Sequence, residues 1–138
     1  MTTDQGLVGV LVVTHGHLAN ELVAAAEMIV GEITHIVPVS IGWHVDVNES
    51  KKEIEQAIHT VDKGKGVILL TDMFGGTPSN IALLFMKKGE LEIVTGANLP
   101  MIIKLAQQTG QETVSELAFA VKEQGQKQIS IPSEFLGE

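Results

Sequence analysis

Four short aliphatic runs recur along the chain, and segments of helical spacing separate them. The runs are Val8–Thr14, His35–Ile41, Val67–Thr71 and Leu91–Thr95. They are rich in β-branched residues and carry almost no charge, which suits strands buried on both faces. Leu18, Leu22, Ala25, Ala26 and Ile29 predict a first helix stopping at Gly31. Asp46 or Asn48 caps a second helix, with Ile54, Ala57, Ile58 and Val61 inward. Thr77 followed by Pro78 predicts a third helix start, a hydroxyl N-cap and then proline at the first helical position, running through Ile81, Leu84 and Phe85 towards Gly89. Asn98 caps a fourth helix carrying Ile102, Ile103, Leu105 and Ala106, which stops at Gly110. Glu112–Gln124 is a fifth, with Val114, Leu117, Ala118 and Val121 inward and Gly125 as its stop. Lys127–Ile131 reads as a short final strand. Strand alternating with helix predicts an α/β domain spanning residues 1–138, an open, mostly parallel sheet with helices on both faces.

In such sheets ligands bind beyond the strand C-termini, where strand order reverses. Two loops at that edge carry chemistry. After the first run stands Thr14-His15-Gly16-His17, and after the third Thr71-Asp72-Met73-Phe74-Gly75-Gly76-Thr77. A neutral imidazole is nucleophilic through one nitrogen and keeps its proton on the other. A carboxylate accepting that proton fixes the tautomer and stabilises developing positive charge. Asp72 is the natural orienter of His15. Gly75, Gly76 and Thr77 open a helix whose free amides and dipole favour an anion. The loop also reads more plainly as a tight turn that needs glycine, and His15 as a packing histidine. The two loops together favour a histidine that accepts a phosphoryl group.

Composition narrows the partners. Net charge is −8, the nine basic residues are all lysine, and arginine is absent. No basic stripe offers a footing for nucleic acid or an anionic membrane, and no guanidinium clamps a phosphate. There is no cysteine, hence no disulfide or thiol chemistry. No leader and no apolar run of spanning length is evident, so a cytoplasmic chain is expected.

Other readings compete. His15, His17 and Asp72 could hold a metal for a hydrolase, although His17 reads more simply as a surface residue. Asp72 ends the third strand as the acceptor of a receiver-type signalling module does, yet a receiver needs an acidic pair after strand one, where Thr14-His15 stands. A non-catalytic binding domain would keep the fold and take no phosphoryl group. Met73 and Phe74, with His17, could form an apolar docking rim. His35 and His59 read as structural or solvated, and Trp43-His44 as lying near the site mouth.

The chain resembles the IIA component of the mannose family of the bacterial phosphoenolpyruvate-dependent sugar phosphotransferase system. Three motifs carry the likeness: Val13-Thr14-His15-Gly16, the segment Leu69-Leu70-Thr71-Asp72-Met73-Phe74-Gly75-Gly76-Thr77-Pro78-Ser79-Asn80, and Val94-Thr95-Gly96-Ala97-Asn98-Leu99-Pro100-Met101. The resemblance implies that His15 takes a phosphoryl group from the phosphocarrier HPr and passes it to a IIB component, for sugar uptake and phosphorylation or its regulation. It implies that Asp72 pairs with His15 and that Gly75, Gly76 and Thr77 receive the group. No cofactor is implied. The membrane components IIC and IID would choose the sugar, and IIB would be a separate chain. It also implies a homodimer that exchanges a C-terminal strand, here Lys127–Ile131, antiparallel to the others. His17 departs from the family pattern, in which apolar or other residues are usual.

Overall fold

A computed structural model describes residues 6–42 and 46–137. The elements run β1 (Gly9–His15), α1 (Leu18–Val30), β2 (Ile36–Ile41), α2 (Val47–Val61), β3 (Val67–Thr71), α3 (Thr77–Leu83), β4 (Leu91–Val94), α4 (Leu99–Ala106), α5 (Val114–Lys127) and α6 (Ser133–Leu136). The strands form one sheet in the order β2-β1-β3-β4, and every pairing is parallel. From β1 the chain crosses to β2 on one side, then returns past β1 to β3 on the other. The reversal therefore falls between β1 and β3, and their C-terminal ends flank the crevice where such sheets bind ligands. Pro38 lies in β2, an edge strand, where its missing N–H breaks no ladder bond on the outer side.

The two central strands are buried on both faces, and alternate side chains feed two cores. Val10, Val12, Ile68 and Leu70 pack against α1, α4 and α5. Leu11, Val13, Val67 and Leu69 pack against α2 and α3. A sheet sealed on both sides gives the loops at its edge a rigid base.

Several element ends differ from the sequence expectation. The buried stripe of α1 is Ala19, Val23 and Ala26, and Leu18 and Ile29 face outward. The rotation of the helix is set by Thr14, whose buried Oγ1 accepts the Ala19 N–H at 2.7 Å and donates to the His15 carbonyl at 3.1 Å. Asp46 caps α2 by accepting from the Asn48 N–H. Gly76, not Thr77, is the N-cap of α3, and this helix ends at Leu83, well short of Gly89, with Leu84 exposed. Helix α4 ends at Ala106, before Gly110. Thr113 and Glu116 close a reciprocal capping box at the start of α5. Gly125 does not stop that helix. It is a buried position inside it, where a β-carbon would lie 2.6 Å from Met101 Sδ, so glycine lets α5 approach α4.

The expected final strand is not formed in the single chain. Helix α5 continues through Lys127, and the residues after it pair with no strand. Ile129 and Ile131 project into solvent, 77% and 59% exposed. An exchanged strand would pair only with a second copy, so the single chain leaves that expectation untested. The expectation for Trp43 and His44 lies outside the described residues. No helix among the described residues is long and apolar enough to cross a membrane.

Candidate active site

His15 is the last residue of β1, and Asp72 immediately follows β3. Parallel pairing of these strands in register, with Val13 opposite Thr71, brings the two side chains together across the sheet edge. His15 Nδ1 lies 2.8 Å from Asp72 Oδ2. The same oxygen accepts the His15 backbone N–H at 3.1 Å, and Oδ1 accepts the Met73 N–H at 3.1 Å. Three donors thus converge on one carboxylate. The imidazole is half exposed, whereas the Asp72 side chain is only 13% exposed. Partial burial pushes the Asp72 carboxyl up. The bonds from the His15 ring and backbone, with electrostatic attraction to that ring, outweigh it and hold the carboxyl below its ordinary value of 3.8. An anionic Asp72 accepts from Nδ1–H and leaves Nε2 as the ring's free lone pair.

That free nitrogen faces the start of α3. A β-carbon built on Gly76 would lie 2.6 Å from His15 Cε1 and 2.9 Å from Nε2. Gly76 adopts an ordinary extended conformation, φ −92° and ψ 174°, so its glycine is demanded by the imidazole and not by the backbone. Gly76→Ala should therefore fold but push the ring off its carboxylate. Loss of the His15–Asp72 bond is the expected result. NMR shifts of the His15 ring nitrogens are the measurement, and wild-type shifts would show that the ring does not need this contact.

Gly75 has a left-handed backbone, φ +99°, and its N–H is already engaged by Ser79 Oγ at 2.8 Å. At the head of α3, beside the ring, the Gly76 and Thr77 amides have no intrahelical partner. Pro78 contributes none. Thr77 is exposed at the first helical position, and its hydroxyl is not consumed as a cap. Motif two of the sequence thus builds one wall of the site and motif one the other. Motif three lies beside them: the Ala97 N–H donates to the Thr71 carbonyl at 2.9 Å, next to Asp72, while Asn98 Oδ1 accepts from the Met101 N–H and its Nδ2 donates to the Gly125 carbonyl, tying α4 to α5. The role of Ser79 was not legible in the sequence. Its spacing of four from Gly75 was the available signal.

The remaining candidates sort simply. His17 is exposed at the N-cap of α1 and makes no capping bond. Met73 and Phe74 are 54% and 69% exposed beside the site. His35 bonds the Leu105 carbonyl through Nε2 at 3.0 Å, and His59 is exposed. Among the described residues no group of three His, Cys, Asp or Glu side chains converges as a metal site.

The fold and this site define an α/β domain with a carboxylate-oriented histidine at the switch point of a parallel sheet. Residues 9–122 match the family described as "PTS system fructose IIA component". The chain is 32% identical over 109 residues to the sorbose-specific EIIA component of Lacticaseibacillus casei, covering 78% of each chain. The mannose/sorbose-specific IIA subunit from Enterococcus faecalis superposes with a TM-score of 0.82 at 28% identity, covering 91% of this chain and 94% of that one. The IIA protein associated with the fucose utilization operon of Streptococcus pneumoniae superposes at 0.84 with 27% identity, covering 95% and 97%. The chain belongs to the mannose-type EIIA family of the sugar phosphotransferase system. As such it is a transferase-class component of sugar transport.

Proposed function

We propose that this chain is a phosphoryl carrier and that His15 Nε2 is the acceptor. One observation carries the reading: Asp72 holds Nδ1 at 2.8 Å while the opposite edge of the ring meets Gly76 at the head of α3. The Nε2 lone pair attacks the phosphorus of a phosphohistidine on HPr. The N–P bond to the donor imidazole breaks as the Nε2–P bond forms, and the donor ring leaves with the electron pair. His15 keeps its Nδ1 proton, and Asp72 stabilises the positive charge that develops on the ring. The amides of Gly76 and Thr77, with the Thr77 hydroxyl, receive the phosphoryl oxygens. Amides hold the group without an arginine to retain it, which suits onward transfer to a IIB histidine.

Met73, Phe74 and His17 form the exposed rim on which HPr and IIB would dock in turn. The outer edge of β4, which among the described residues pairs with no strand and is bridged only by Lys87 at Leu91, and the exposed Ile129 and Ile131 support exchange of the 127–131 segment between two copies. The receiver reading is weaker, because both Asp72 oxygens are already engaged by donors. The metal reading lacks a third converging ligand among the described residues.

The test is incubation with phosphoenolpyruvate, enzyme I and HPr, followed by intact mass and peptide mapping. A single acid-labile phosphoryl group on the His15 peptide is expected. An unmodified chain beside fully phosphorylated HPr would overturn the assignment.

A further inference from the structure

We infer that Ser79 is a positioning residue for phosphoryl transfer, a hydroxyl clamp that holds the Gly75-Gly76 segment in the shape that aims its amides at His15. This rests on the reading of His15 as the acceptor. Two consecutive glycines are the most conformationally free pair a chain can carry, yet the proposed chemistry needs the Gly76 amide fixed beside Nε2. Ser79 supplies the restraint. Its side chain is 1% exposed. Its oxygen accepts the Gly75 N–H at 2.8 Å, and its proton is donated to the Gly76 carbonyl at 3.0 Å. One hydroxyl therefore grips both ends of the two-glycine segment. The Gly76 carbonyl also accepts the Asn80 N–H at 2.9 Å, so the clamp is anchored in the first turn of α3.

The clamp has a second consequence. It occupies the Gly75 amide and leaves those of Gly76 and Thr77 uncommitted at the head of α3. The Ser79 hydroxyl bonds Gly75 and Gly76 and not the imidazole, so its effect acts through the loop. The Gly75 N–H lies on an exposed residue, and water can replace the lost acceptor when the hydroxyl is removed. Loss of the clamp should loosen the loop without unfolding the domain.

Ser79→Ala is expected to lower kcat for transfer from phospho-HPr about tenfold, the worth of one positioned hydrogen bond. KM for phospho-HPr should stay within about twofold of wild type, because the docking rim is untouched. An unchanged kcat, or a loss confined to KM, would overturn the clamp. Amide spectra of the wild-type protein give a second reading that does not depend on how the variant folds. On phosphorylation the Gly76 and Thr77 amide resonances should move strongly, while Gly75, held by Ser79, stays near its place. A shift at Gly75 as large as at Gly76 would also overturn the clamp. The two levels separate cleanly. Wild type that takes no phosphoryl group removes the His15 reading itself. Wild type that is labelled beside an equally fast Ser79→Ala removes only the clamp.

Discussion

His15→Ala should remain folded and take up no phosphoryl group from phospho-HPr. The imidazole is half exposed, and its one side-chain partner among the described residues is Asp72. The backbone N–H of residue 15 still reaches the carboxylate in the variant, so the β1–β3 edge keeps that link. Substitutions at such surface positions usually change stability by only about 0.5 kcal/mol, and melting by circular dichroism should show little change. Among the described residues the chemistry has no substitute. His17 lies two residues on, exposed at a helix N-cap. Asp72 is an engaged carboxylate rather than a free nucleophile. Intact mass after incubation with the complete donor system is the measurement. Label that survives, whether on His17 or Asp72, would move the acceptor away from His15.

Asp72→Asn should slow transfer on the order of 10³-fold, within the range lost when an orienting or proton-handling carboxylate is removed. The reason lies in the count of donors. Oδ2 accepts from His15 Nδ1 and from the His15 N–H, and Oδ1 accepts from the Met73 N–H. An amide offers one oxygen and one NH₂. In either orientation it turns two donors against each other, and in one of them it forces the proton of His15 onto Nε2. It also lacks the negative charge that steadies a phosphorylated ring. Single-turnover transfer from phospho-HPr measures this, and a rate within a few-fold of wild type would remove Asp72 from the mechanism.

The same variant carries a pH signature. The native Asp72 carboxyl is held below its unfolded value, so its contribution to stability is fully present above that value and is lost as pH falls through the native one. Denaturant midpoints measured down the acid limb should show wild type losing stability relative to Asp72→Asn. Parallel curves would mean that the pairing adds nothing to folding.

Much of this was already written in the chain. The four apolar runs determine a parallel α/β sheet, because residues without polar alternation must be covered on both sides. Asp46, Asn98 and the Thr77-Pro78 pair locate helix starts to within a residue, since capping is a local hydrogen-bond problem. His15 and Asp72 were identifiable from sequence because one ends a strand and the other directly follows one, and parallel neighbours deliver their C-terminal ends to one edge.

What the chain alone left undecided depended on contacts distant in sequence. The rotation of α1 follows from a Thr14 hydroxyl beneath it, which turned Ala19 inward where the spacing had favoured Leu18. The run through Gly125 follows from its contact with Met101 on α4, a packing demand that no local rule contains. The glycine at position 76 looked like a turn requirement, and only the folded molecule gives the reason as the His15 ring. Capture of the Gly75 amide by Ser79 was decided in the same way. Local sequence determined which residues reach the sheet edge, because strand and cap preferences act over a few neighbours. Tertiary structure decided which atoms face one another there, because that depends on strand order, register and packing between segments far apart in the chain.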